Sequence, residues 1–119
     1  MRSGEADDAT ERRIAILDAQ KPVTLTAIIA CRPEAVAEVE AALVAVGRYV
    51  KANEPGTLDY RVIRADGDAP VYITHERFRD REAMRIHNDG AGSKGFFAAT
   101  DGLLGDVALL TGDELLATA

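Results

Sequence analysis

Apolar positions recur with one period and then another along this chain, and each change of period marks a boundary between elements. Val23 to Ala30 (VTLTAIIA) is rich in β-branched residues and predicts a strand. Its Val23, Leu25, Ala27 and Ile29 face is wholly apolar, while Thr24, Thr26, Ile28 and Ala30 make the opposite face half polar. Pro33 then suits the first turn of a helix and Glu34 its positive end. Val36, Val39, Leu43, Val46 and Val50 form the stripe of an amphipathic helix docked on a sheet. Glu54-Pro55-Gly56 reads as its stop signal. Leu58 to Ala65 is a second strand, and Asp66-Gly67 opens a hairpin completed by Asp68, Ala69 and Pro70.

The third strand, Val71 to Phe78, places Tyr72, Thr74, Glu76 and Phe78 on one face and Val71, Ile73, His75 and Arg77 on the other. Asp80 is a candidate N-cap for a second helix whose Ala83, Met84 and His87 share one side. Gly90 and Gly92 are expected to break that helix, with Ser93 capping a further turn that carries Phe96 and Phe97. Asp106 to Thr111 (DVALLT) predicts the last strand. Residues 1–21 have a separate character: Asp8 and Glu11 resemble a capping box, and Ile14 and Leu17 offer a short apolar stripe. The chain thus divides into a leader, 1–21, expected as a short helix or mobile arm, and a domain, 22–119.

Strand, helix, strand, strand, helix, strand is the α+β, ferredoxin-like split βαβ arrangement, a four-stranded antiparallel sheet with helices on one face. Its other face is the difficulty, because every strand carries apolar residues on both sides. Leaving four or five of them in water would forfeit roughly 6–12 kcal/mol, which rivals the stability of a whole domain. A second subunit laid against the sheet removes the conflict, so a homodimer through sheet faces is expected.

Composition narrows the function classes. The 119 residues carry a net charge of −6, with no basic run longer than Arg12-Arg13, so a nucleic-acid groove is not expected. No apolar stretch reaches the roughly 18 residues of a membrane span, and the acidic N-terminus lacks the pattern of a secretory signal. The one cysteine, Cys31, suits the cytoplasm and reads as an apolar filler at a strand end. No Rossmann fingerprint, nucleophile elbow, CxxC or HExxH pattern is present, and the glycines from Gly90 to Gly95 follow a helix rather than open one.

What chemistry the chain offers lies between Val71 and His87, which hold both histidines and a glutamate in the middle of an apolar strand. A buried Glu76 needs a partner, from Arg61, Arg64, Arg77, His87 or a backbone donor. A helix folded back over its own strand would bring His87 and Glu76 to one cleft. There, Glu76 and His87 either brace helix to strand or act together, the histidine as base and the carboxylate orienting it or taking a substrate proton. His75 points to the opposite face and is expected at the subunit interface; the same alternation opposes a metal site built from His75, His87 and Glu76. Tyr60, Tyr72, Phe78, Phe96 and Phe97 are candidates to line a cavity for a planar substrate, or else are simply core.

The run Glu54-Pro55-Gly56, then Tyr60, then a strand with Glu76, then a helix with His87, resembles the antibiotic biosynthesis monooxygenase domain over about Val23 to Thr111. The resemblance implies a dimeric α+β barrel and a small monooxygenase that needs no cofactor and acts on an aromatic or quinol-like compound. It also admits isomerase-like, autoinducer-processing and haem-degrading relatives. The haem-degrading branch uses tryptophan, asparagine and histidine together, whereas this chain has no tryptophan and its first strand has no asparagine. The family commonly has a serine about three residues after the helix histidine; here Ser93 comes six after His87, which implies a differently shaped entrance loop. Against the oxygenase stands a non-catalytic, dimeric ligand-binding or stress-associated domain, with a collapsed interior in place of a pocket.

Overall fold

The structure is a computed structural model that describes residues 8–12 and 21–118. Residues 8–12 are helical, and Ile14 and Leu17 lie outside the described residues. The domain runs β1 (Val23–Cys31), a 3-10 turn (Pro33–Ala35), α1 (Val36–Asn53), β2 (Thr57–Arg64), β3 (Val71–Phe78), α2 (Arg81–Asp89), α3 (Ala91–Ala99) and β4 (Leu104–Asp113). The strands pair antiparallel in the order β2-β3-β1-β4. This is the ferredoxin-like α+β fold expected from the order of elements. The outer strands are longer or shifted at their ends by a residue or two, and Pro33 starts a 3-10 turn before the α-helix proper.

Alternation decides which side of the sheet is covered. Val23, Leu25, Ala27, Ile29 and Cys31 of β1, with Tyr72, Thr74, Glu76 and Phe78 of β3, are all buried on the helix side. The stripe of α1 packs onto them through Val39, Leu43, Val46 and Val50, at about 1.5–3 kcal/mol for each fully buried aliphatic side chain. Cys31 sits at the strand end as a filler: burial, then Glu40 and Glu34, push its thiol pKa up and disfavour the thiolate. On the far side, Ile63, Ile73, Ile28 and Ala108 line up across all four strands, and Ile28 and Ile63 remain well exposed.

Two local devices set the position of α2. Asp80 caps its N-terminus, Oδ1 accepting from the Ala83 N–H at 2.8 Å. Behind it, the chain leaves α1 through Glu54-Pro55-Gly56, and Gly56 lies so close to α2 that a Cβ there would be 2.6 Å from the Ala83 Cβ. In the β2–β3 hairpin, Gly67 takes φ +125°, a conformation that a side chain disfavours. The segment after α2 differs from expectation. Gly90 is the N-cap of α3 and Gly92 lies within that helix, against Tyr49, so Gly92 breaks nothing. Ser93 is likewise inside α3 and caps nothing, because its hydroxyl donates to the His87 carbonyl at 2.8 Å.

Candidate active site

β3 presents Glu76 at the centre of the helix-side face. Tyr60 of β2 stands beside it on one flank and Leu25 of β1 on the other. One turn after Ala83, α2 delivers His87 above the same spot, because residues four apart share a helix face. The C-terminal end of α1 supplies a third group, Glu54. Glu54, Glu76 and His87 are 7%, 6% and 4% exposed, which makes this a buried ionisable cluster.

The imidazole lies between the two carboxylates. Its Nδ1 is 2.7 Å from Glu54 Oε1, which also accepts from Thr57 Oγ1 at 2.9 Å. Its Nε2 is 2.9 Å from Glu76 Oε1, at ion-pair distance but outside hydrogen-bond alignment, and 3.4 Å from Ser93 Oγ. Thr74 Oγ1 secures the other Glu76 oxygen at 2.7 Å. Phe78 and Tyr60 flank the ring, with centroids 5.2 and 6.2 Å away.

Each nitrogen facing a carboxylate oxygen needs a proton between them, since two lone pairs would repel. The cluster therefore holds two protons, most simply as an imidazolium between two carboxylates, with a net charge of −1. Burial alone pulls the His87 pKa down, but Glu76 and then Glu54 outweigh it and the net displacement is upward. Position adds to this, because His87 occupies the last turn of α2, where the helix dipole favours a cation. Burial, followed by Glu76 and Glu54, pushes the Tyr60 phenol far up, so Tyr60 stays neutral. Among the described residues, Glu54 Oε2 is buried without a hydrogen-bond partner, and Glu76 Oε1 is buried with the His87 Nε2 close by but out of hydrogen-bond alignment.

Glu76 and His87 form part of the wall of a cavity of about 310 Å³ between sheet and helices. β1 contributes Leu25, Ala27 and Ile29, α1 contributes Leu43 and Val46, and Thr74, Asn88 and Ser93 add polar groups near the cluster. The cavity opens between β4 and α3, where Val107 and Leu109 of β4 and Phe97 of α3 are 40%, 59% and 55% exposed. Among the described residues, none groups three His, Cys, Asp or Glu side chains around a common metal position. Glu54 and Glu76 approach opposite nitrogens of one ring, so they cannot converge with it on a single ion.

Of the aromatic candidates, Tyr60, Phe96 and Phe97 line the cavity. Tyr72 and Phe78 do not. They share the face of Glu76, but Tyr72 lies two registers further along β3, opposite Ile29, and Phe78 closes the strand's end opposite Val23. Both are buried in the core, where Phe78 backs the His87 ring. His75 is exposed on the far face, 3.2 Å from Thr26 Oγ1. None of Arg61, Arg64 and Arg77 reaches Glu76: they pair with Asp59, Glu40 and Glu114. Glu54 is the residue the sequence left as a helix stop. A signal was present, since a carboxylate at a helix C-terminus faces the negative end of the dipole and needs another reason to be there.

The chain is thus a ferredoxin-like α+β domain with a buried carboxylate–imidazole–carboxylate cluster beside its helix-side cavity. The model of the antibiotic biosynthesis monooxygenase family matches residues 22–99, and the chain belongs to that family. Among solved structures, a candidate antibiotic biosynthesis monooxygenase of Caulobacter crescentus CB15 is 26% identical at a TM-score of 0.77, covering 87% of this chain and 99% of its own. A protein of Mycobacterium tuberculosis is 25% identical at a TM-score of 0.74, covering 82% and 99%. A candidate family member from Nitrosomonas europaea shares the fold at a TM-score of 0.76 with 11% identity, covering 84% and 96%. No curated protein matches the sequence.

Proposed function

We propose that this protein is a cofactor-independent monooxygenase acting on a small aromatic or quinol-like compound, with Glu76 accepting the substrate proton and the protonated His87 beside it steadying the anion that forms. The supporting observation is their position: both stand on the wall of a cavity whose lining, apart from Tyr60 and the Thr74, Asn88 and Ser93 near them, is apolar. A side chain used only to brace the fold needs no such exposure to a ligand-sized space. The cluster, at −1, accepts a proton from a substrate O–H or acidic C–H on the Glu76 side, while Glu54 holds the imidazole through Nδ1. The resulting electron-rich anion reduces oxygen itself. For an anthrone-like methylene the balance is R₂CH₂ + O₂ → R₂C=O + H₂O, with both electron pairs from substrate.

The test is oxygen uptake by chelator-treated, colourless protein supplied with an anthrone or a quinol. His87→Gln is expected to lower turnover about 10²–10⁴-fold, the usual range for a group taking part in acid–base catalysis. Unchanged turnover clears His87 of the role, and activity lost with metal and restored by iron overturns the mechanism.

The working unit in this proposal is a homodimer joined through the sheet faces, in the cytoplasm. It is supported by the isoleucine row on the uncovered face and by Leu110, which is 60% exposed beside it. No helix among the described residues is long and apolar enough to cross a membrane. Light scattering is expected to give about twice the 12.7 kDa chain mass; a stable monomer at micromolar concentration refutes the dimer.

A further inference from the structure

We propose that the cavity selects uncharged, flat, phenol-like molecules of one or two rings and rejects anions, carboxylated and phosphorylated compounds included. This rests on the cavity being the substrate site, and it assigns the selectivity to the sign of the buried cluster.

The polar end of the cavity is made by Glu76 and His87, with Glu54 behind the ring. Two carboxylates against one imidazole leave a net negative charge in a place that water screens poorly. Among the described residues lining the cavity there is no lysine or arginine. The nearby cations are turned elsewhere. Arg61 and Arg77 occupy the far face of the sheet with His75, and Arg64 is held by Glu40. An anionic substituent brought to the cluster would meet net like charge, because the one cation there, His87, is already shared by two carboxylates.

Two further observations describe what does fit. Glu76 Oε1 is buried and faces the His87 Nε2 at 2.9 Å out of hydrogen-bond alignment, so a ligand hydroxyl would complete its shell. Apart from Thr74, Asn88 and Ser93 near the cluster, the rest of the lining is aliphatic and aromatic, and about 310 Å³ is at the small end for ligand pockets. A flat ring between Phe96 and the β1 side chains, with its hydroxyl toward Glu76, uses both features. Tyr60, held neutral, adds no charge to alter this preference.

Calorimetric titration of the full chain at pH 7.5 with 1-hydroxy-2-naphthamide and 1-hydroxy-2-naphthoate tests it, because the two ligands share size and shape and differ in charge. The amide is expected to bind at least about tenfold more tightly, as like-charge repulsion at this depth requires. Glu54→Gln, which removes one negative charge and keeps an acceptor for Nδ1, should bring the two dissociation constants toward each other. Equal or tighter binding of the naphthoate by the native protein overturns the proposal, as does failure of the amide to bind below millimolar concentration. Discrimination between the ligands without oxygen uptake on a quinol upholds the selectivity and overturns the oxygenase assignment, so the two failures are distinct.

Discussion

Removing the imidazole exposes how the buried cluster is held. In His87→Ala the Glu54 and Glu76 carboxylates remain, 7% and 6% exposed, with only Thr57 and Thr74 as hydroxyl donors. Breaking a buried ion pair by deleting one partner costs about 3–5 kcal/mol, because the remaining charge is left without compensation. The adjoining cavity lets water approach Glu76, which places the expected loss near the lower figure, about 3 kcal/mol. The measurement is urea denaturation at neutral pH, combined with Glu54→Gln in a double-mutant cycle. Once His87 is gone, replacing Glu54 relieves a buried charge, so the double variant should be more stable than the sum of single losses implies. A coupling of about 1 kcal/mol or more is expected for groups in one network. Additive losses, or a His87→Ala cost below about 1 kcal/mol, would show that the imidazole is merely packed and that the cluster is not charged as described.

Two other outcomes follow from the same geometry. Since the folded-state pKa of His87 is displaced upward from 6.5, the stability it contributes is fully present below that value and is lost as pH rises through the higher folded value. The urea midpoint should therefore fall with rising pH above about 6.5, and His87→Gln should flatten that slope; a slope retained in the variant would assign it to another group. Asp80→Ala removes the acceptor for the Ala83 N–H and should cost about 1 kcal/mol, with faster amide exchange in the first turn of α2; unaltered exchange there would refute the cap.

Much of the fold was legible because period and burial agree. The β1 and β3 alternations and the α1 stripe each choose one face, and those faces meet in one core. Asp80 was readable for the same reason, being a capping residue just ahead of an apolar helical face. Legibility failed where a residue's local role and its tertiary role differ. Glu54 looks like the last residue before Pro55-Gly56, and only the return of α2 shows that it meets His87 thirty-three positions on. Tyr72 and Phe78 share the Glu76 face, but alternation gives a side and no distance along the strand, so it cannot separate cavity wall from core. Ser93 has capping chemistry beside glycines, yet Gly90 takes the cap and the hydroxyl turns back to the His87 carbonyl. His87 and Glu76 came together as expected because each lay on an element whose buried face was already fixed.

The contact between Gly56 and Ala83 acts as a gauge for the whole cluster. Glu54 lies two residues before Gly56, and His87 lies one helical turn after Ala83, so the reach from carboxylate to imidazole is measured across that touching point. One added methyl at position 56 would sit 2.6 Å from the Ala83 Cβ, a separation atoms do not tolerate. The helix would have to lift, and the 2.7 Å contact at Nδ1 would open with it. The two positions have room for one methyl between them. A chain that moved the methyl from 83 to 56 would preserve the spacing, whereas a chain that kept both would retain every ionisable group of the cluster and still have it out of adjustment.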